Sequence, residues 1–177
     1  MQKGIRNLFL KKLDKHHHET YLHSLRVGKY VKEIAWREGN YDPLTINDVA
    51  DMGKLHDIGK LCVTPELLNQ KSITSHQFKL IKRHVRVGYD LLRRDLPIAA
   101  CGAGKHHPDY AVKSYPNGLT KAEKESIALY MPVVVICDFY DALMTRNNDA
   151  FKEIDKTKRD QVGSLLTDRF PDNERRI

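Results

Sequence analysis

The apolar residues of this chain recur at helical spacing. Between His17 and Trp36, the positions Tyr21, Leu22, Leu25, Val27, Val31, Ile34 and Ala35 predict one amphipathic helix. Gly39-Asn40 ends it. Thr45 with Asp48 reads as an N-cap and a first-turn acid for a helix reaching Leu55. Thr64-Pro65-Glu66 opens a short helix with proline at its first position. Thr74 and Gln77 form a capping-box pattern ahead of a long helix through Arg93, and Thr120 with Glu123 forms a second. A helix is also expected from Pro97 to about His107, then a loop from Pro108 to Leu119. The helix after Thr120 should reach about Thr145, with an interruption or kink near Pro132. Inside it, Val133-Val134-Val135-Ile136 has the composition of a strand, but its helical neighbours argue for helix. A terminal helix is expected from Asp155 to Arg169. Period-two alternation, internal repeats and long linkers are missing from the sequence. The expected fold is all-α, a helical bundle in a single domain over residues 1–177.

Composition narrows the function classes. A chain of 177 residues with 41% hydrophobic residues can bury one core and is neither disordered nor fibrous. No apolar run approaches the roughly 20 residues of a membrane span. The longest, from Met131 to Cys137, ends at Asp138. The first residues carry Lys3, Arg6, Lys11 and Lys12 without the apolar stretch and cleavage site of a secretory signal. Cys62, Cys101 and Cys137 form no C-x-x-C pair and read as reduced, mostly buried thiols. The expectation is a cytoplasmic protein with no membrane partner. The net charge of +7 includes Lys79, Lys82, Arg83, Arg86, Arg93 and Arg94, a solvated helix face that also suits an anionic ligand. No zinc-finger, basic-zipper or RNA-module signature accompanies it, so nucleic acid is not an expected partner. His16-His17-His18 reads as solvent-exposed. Trp36, Tyr21, Tyr30 and Tyr41 read as core and helix-contact residues.

The candidate chemistry lies in the histidines and a few carboxylates. Glu19 and His23 share a helix face. His56-Asp57-Ile58-Gly59-Lys60 follows a predicted helix, His84 sits within another, and His106-His107 precedes Pro108. Asp138 breaks an apolar run. Taken singly, each has an ordinary structural reading: a surface pair, a packed histidine, a cap or ion-pair partner. Taken together, neutral imidazoles and carboxylates suit Fe, Mn, Zn or Ni. A carboxylate such as Asp57 can bridge two cations about 3.5–4 Å apart, and water between them becomes a nucleophile near neutral pH. Lys60, three residues on, can meet a phosphate or leaving oxygen.

These motifs, in this order, resemble the HD-GYP subgroup of the HD phosphohydrolase superfamily. The resemblance runs from about Glu19 to Asn148. It rests on Glu19-Thr20 with His23-Ser24-Leu25-Arg26-Val27, on Leu55 to Lys60 and on Thr64 to Asn69. Lys82-Arg83-His84, Gly88, His106-His107, Tyr115 to Leu119 and Asp138 to Leu143 extend it. It implies an HD-domain helical bundle in which His23, His56, Asp57, His84, His106, His107 and Asp138 are metal ligands. It implies two divalent ions, a third if Glu19 engages, with Fe or Mn typical and Zn or Ni as alternatives. Asp57 and Lys60 carry the catalytic roles. The implied reaction is hydrolysis of cyclic di-GMP to the linear dinucleotide or GMP. The alternatives are another nucleotide or phosphomonoester as substrate, or a catalytically weak domain that binds nucleotide or protein. A regulatory protein partner or a homodimer belongs to the same expectation.

The chain departs from the family in two places. The family commonly reads His-His-Glu-x-x-Asp-Gly-x-Gly-Tyr-Pro, whereas here Pro108, Ala111-Val112 and Ser114 replace the acid, the Asp-Gly and the second Gly. After Leu143, Met144-Thr145-Arg146-Asn147 replaces the usual Arg-Pro-Tyr, and Asn147 stands where a phosphate-contacting cation is expected. Lys113, Tyr115 and Arg146 are therefore the candidate substrate-binding residues, with Lys113 or Arg146 partly compensating. Tyr110 and Tyr115 flank the loop, where either is a candidate to stack on a guanine. Slow cyclic di-GMP hydrolysis that stops mainly at the linear dinucleotide is expected.

Overall fold

The computed structural model describes residues 2–39 and 42–145, and among them every regular element is helical. Helix α1 spans Gln2–His16, where no helix was expected. Its packed seam is Ile5, Phe9 and Leu13, spaced by four. Helix α2, His18–Glu38, ends at Gly39, whose φ of 66° is the left-handed conformation of a helix C-cap. Helix α3, Ile46–Lys54, starts at the expected N-cap Thr45, and the expected first-turn acid Asp48 closes a capping box with it. A 3-10 turn over Ile58–Cys62 and the short α4, Pro65–Leu68, follow. Helix α5, Ser75–Leu92, opens on the Thr74/Gln77 capping box. Helix α6, Pro97–Lys105, precedes a second 3-10 turn, Pro108–Tyr110, and α7 spans Lys121–Thr145.

Helix α7 runs through Pro132 as one assigned element, where an interruption was expected. Proline removes one rung of the hydrogen-bond ladder. Tyr130 and Val134, buried on either side of it, hold both halves in the packed structure. By length and hydropathy α7 could cross a membrane. Its residues Ile127, Tyr130, Val134 and Cys137, however, form the buried stripe of a core helix. Packing divides the chain into two units, Met1–Asp138 and Phe139–Ile177. Of the second, residues 139–145 are described, and in them the Thr145 hydroxyl donates to the Asp141 carbonyl at 2.7 Å. The terminal helix expected over Asp155–Arg169 and the residues Tyr41 and Arg146 lie outside the described residues.

In the first unit one cluster joins α1, the first 3-10 turn, α5 and α6 through Leu13, Leu55, Ile58, Val85, Tyr89, Leu92 and Ala103. A second group, Val27, Val31, Ile34, Val49 and Met52, fills the contact of α2 with α3. Close backbone approach makes these contacts tight. A Cβ on Gly59 would lie 1.8 Å from the His84 carbonyl oxygen, and one on Gly102 would lie 2.3 Å from that of Met52. Both glycines bring a turn or helix against the backbone of its neighbour, and both neighbours border the histidine cluster.

Three expectations are corrected here. Trp36 is 68% exposed, because its position near the C-terminal end of α2 falls opposite the Val31–Ile34–Ala35 stripe. His16 and His17 are half-buried, not solvated. His16 Nε2 lies 2.7 Å from the Val63 carbonyl, and His17 caps α2 by accepting from the Thr20 amide. Cys62 is exposed while Cys101 and Cys137 are buried, so only the last two match the expected pattern.

Candidate metal centre

His56 and Asp57 sit in the two-residue junction between the α3 C-cap, Leu55, and the first 3-10 turn. Both are buried, at 0% and 2% exposure. His23 comes from α2, His84 from the middle of α5, His106 caps the end of α6, and Asp138 lies on α7. Residues separated by up to 115 positions thus converge on one point.

The two oxygens of Asp57 are divided between two sets of imidazoles. Oδ2 lies 3.4 Å from His56 Nε2 and 3.7 Å from His23 Nε2. Oδ1 lies 3.3 Å from His84 Nε2 and 3.8 Å from His106 Nε2. Asp138 Oδ1 completes the first set, 3.0 Å from His23 Nε2 and 3.5 Å from His56 Nε2. His107 completes the second, and the donors of His84, His106 and His107 lie within 4.8 Å of one another. The same holds for His23, His56 and Asp138.

The outward nitrogens fix which atoms face inward. Nδ1 of His56, His84 and His106 lies 2.7, 2.6 and 3.0 Å from the carbonyls of Gly53, Ile81 and Ala103. A carbonyl only accepts, so each Nδ1 carries a proton and donates it, and Nε2 of each ring points inward, with a lone pair wherever the ring is neutral. His84 Nε2 and His106 Nε2 then face each other 3.1 Å apart as two acceptors. His56 Nε2 faces two carboxylates in the same way. Such acceptor-only contacts in a buried site call for a cation between them, so the donor set fits the divalent ions that imidazole and carboxylate ligands favour.

The electrostatics agree. Burial pushes the pKa of His84 down to about 4, against the opposing pull of Asp57. Burial, with the charge of His56, also lowers His106 well below its ordinary value, and burial lowers His107. These rings are neutral at pH 7, as imidazoles that hold a cation must be. Burial opposes charge on His56 too, but the adjacent Asp57 and Asp138 outweigh it and raise its pKa to about 10. Burial alone would raise Asp57 and Asp138. Lys60 and His56 reverse that for Asp57, and His56 with His23 reverses it for Asp138, so both stay ionised.

Lys60 donates to Asp57 Oδ2 at 2.5 Å and is mostly buried at the edge of the cluster. Glu19, one turn before His23, is exposed and belongs to none of the grouped sets. Lys113 is exposed, and its backbone carbonyl accepts from Lys105 at 3.4 Å. Tyr115 is half-buried under the Lys105 ammonium, which lies 4.2 Å from its ring centre. The loop between them has its own anchor: Val112 is buried in the core cluster and its amide donates to the Gly104 carbonyl at 2.7 Å. The valine that replaces a family glycine therefore serves as an apolar plug. Tyr110, a stacking candidate in the sequence, stacks instead on His107, with ring centres 4.8 Å apart and planes 23° off parallel. Its phenol is pushed up to about 12 by burial and by Asp57 and Asp138, so it stays protonated. The sequence reading placed neither this contact nor Lys82, whose ammonium stands over Tyr110. The one signal was the spacing of an aromatic three residues after a ligand doublet.

Comparison with known proteins locates this geometry. The HD domain family model matches residues 20–143. A cyclic di-GMP phosphodiesterase of Thermotoga maritima is 30% identical over 150 residues, covering 77% of this chain and 40% of that protein. A cyclic di-GMP phosphodiesterase of Pseudomonas aeruginosa is 32% identical over 128 residues, covering 70% and 30%. A cyclic di-GMP phosphodiesterase response regulator of Xanthomonas campestris is 35% identical over 96 residues, covering 51% and 25%. The chain thus spans two fifths or less of the length of these relatives.

Proposed function

This chain belongs to the HD-domain family, in its HD-GYP subgroup, and from that premise we propose that it hydrolyses cyclic di-GMP as a metal-dependent phosphodiesterase. The observation that carries this reading is the division of the two Asp57 oxygens between the His23/His56 and His84/His106 sets. That arrangement suits two ions, one held by His23, His56, Asp57 and Asp138, the other by Asp57, His84, His106 and His107. Glu19 is the candidate ligand for a third, and Fe or Mn the expected metals. Ions held there supply Lewis acidity and an activated water.

The protein's own contribution is positional and electrostatic. Asp57 fixes the spacing of the two sets through one rigid carboxylate. The carbonyls of Gly53, Ile81 and Ala103 lock the ring orientations of His56, His84 and His106, so no tautomer change is needed to bind. Lys60 brings a positive charge against Asp57, where it can donate to a phosphoryl or leaving oxygen. The preceding and following segments are proposed as one catalytic module over residues 1–177, working in the cytoplasm on a small nucleotide. A regulatory protein or a second copy is the proposed partner class.

Metal analysis of anaerobically purified protein, with a hydrolysis screen, tests this. The expected result is at least two equivalents of metal and cleavage of cyclic di-GMP to the linear dinucleotide. The second reading, a different nucleotide or a phosphomonoester as substrate, is favoured by Val112, whose burial gives the loop a different anchor from the family's glycine. Faster turnover of a nucleoside monophosphate than of any cyclic dinucleotide would establish it.

A further inference from the structure

We propose that Lys82 is the cation that holds the second, non-reacting phosphate of the cyclic dinucleotide. This rests on the function proposed above. A cyclic dinucleotide carries two phosphodiester groups, each with one negative charge. One of them meets the metal centre and Lys60. The other needs a counter-charge elsewhere at the rim, because Lys60, beside Asp57, serves the reacting phosphate.

Lys82 is placed for that role. It is half-buried on α5, and its ammonium lies 4.6 Å from the ring centre of Phe78 and 4.7 Å from that of Tyr110. Tyr110 in turn stacks on His107. A continuous path of ring contacts therefore runs from the second ligand set to this ammonium. Of its basic neighbours further along, Arg83 is exposed and stands over no aromatic ring among the described residues, while Arg86 and Arg93 pair with Asp90. Lys82 has no carboxylate within ion-pair distance among the described residues. Aromatic faces stabilise an ammonium without neutralising it. They also restrict the flexible stem, so that less freedom is lost when an anion binds. Lys82 as a whole keeps partial exposure, and Phe78 beside its ammonium is 44% exposed. An anionic phosphate fits a cation that is held, partly desolvated and unpaired.

The test compares Lys82→Gln and Lys82→Arg with the unaltered metal-loaded protein on two substrates, cyclic di-GMP and bis(p-nitrophenyl) phosphate. The second substrate has a single phosphate, so it reports the metal centre alone. Lys82→Gln should raise KM for cyclic di-GMP about tenfold or more, the loss of one charge-assisted hydrogen bond. It should leave kcat, metal content and bis(p-nitrophenyl) phosphate turnover unchanged. The rise of KM with added salt should also become shallower. Lys82→Arg should restore most of the affinity. Equal losses on both substrates, or lost metal, would make Lys82 a structural residue and overturn the proposal. So would an unchanged KM in Lys82→Gln alongside normal cleavage of cyclic di-GMP by the unaltered protein, which leaves the proposed function standing. Unaltered protein that cleaves bis(p-nitrophenyl) phosphate but neither binds nor cleaves cyclic di-GMP would overturn the function and this inference together.

Discussion

Gly59→Ala puts a methyl group into the closest backbone contact that any glycine makes among the described residues. The new Cβ would stand 1.8 Å from the His84 carbonyl oxygen, 2.5 Å from the Gly88 nitrogen and 2.7 Å from the His84 carbonyl carbon. All three are backbone atoms, so no side chain can swing aside. Ordinary contact begins at 3.4 Å, and the first 3-10 turn must therefore retreat from α5 by about 1.6 Å. The two sides of that gap carry Asp57, two residues before Gly59, and His84 itself. Their facing atoms, Asp57 Oδ1 and His84 Nε2, lie 3.3 Å apart, and metal–ligand distances tolerate only about 0.2 Å. The substitution should cost about 3 kcal/mol, the top of the range for overpacked cores. At about 2–4 °C per kcal/mol this lowers Tm by roughly 6–12 °C. It should also remove the metal that depends on His84, His106 and His107. Differential scanning calorimetry and metal analysis on the same preparation measure both. Gly4→Ala is the control, since nothing lies within 4 Å of its Cβ and its place in the first turn of α1 should keep the change within about 0.5 kcal/mol. A Gly59→Ala protein with full metal content and an unshifted Tm would refute the reasoning that close approach of these two backbones sets the ligand geometry.

Further outcomes are expected at other positions. Asp57→Ala should lose metal and all hydrolysis, because both ligand sets share that carboxylate; retention of two equivalents by elemental analysis would contradict the bridge. Lys60→Ala should keep its metal and fold but turn over more slowly, and an unchanged kcat on a working substrate would remove its assigned role. Thr74→Ala should lower stability by about 1 kcal/mol through loss of the α5 capping box, with metal content unaffected, as read by denaturant unfolding. Trp36→Ala should change stability by less than about 0.5 kcal/mol, because the ring is 68% exposed; a larger loss in the same assay would mean that it is covered in solution.

Helix starts were legible in the sequence because they are local. The capping boxes at Thr74 and Thr120 close within three residues and form as read, and the N-cap read at Thr45 forms a third with Asp48. The candidate donors were legible too, since imidazoles and carboxylates that could hold cations are read directly from the sequence. The Ile5–Phe9–Leu13 seam of α1 is thin and interleaved with Lys3, Arg6, Lys11 and Lys12, so the helix is plain only once that seam is packed. Trp36 and His17 show the opposite error: hydropathy says what a side chain prefers, and the helix face or cap it occupies decides where it goes. The sequence by itself determined an all-helical chain carrying a particular set of donors in a particular order. Only the tertiary structure decided that one oxygen of Asp57 serves His23 and His56 while the other serves His84 and His106, and that Glu19 stays outside. Those distances join residues far apart in the chain, and they are set by how closely backbones pack at Gly59 and Gly102, which no local pattern encodes.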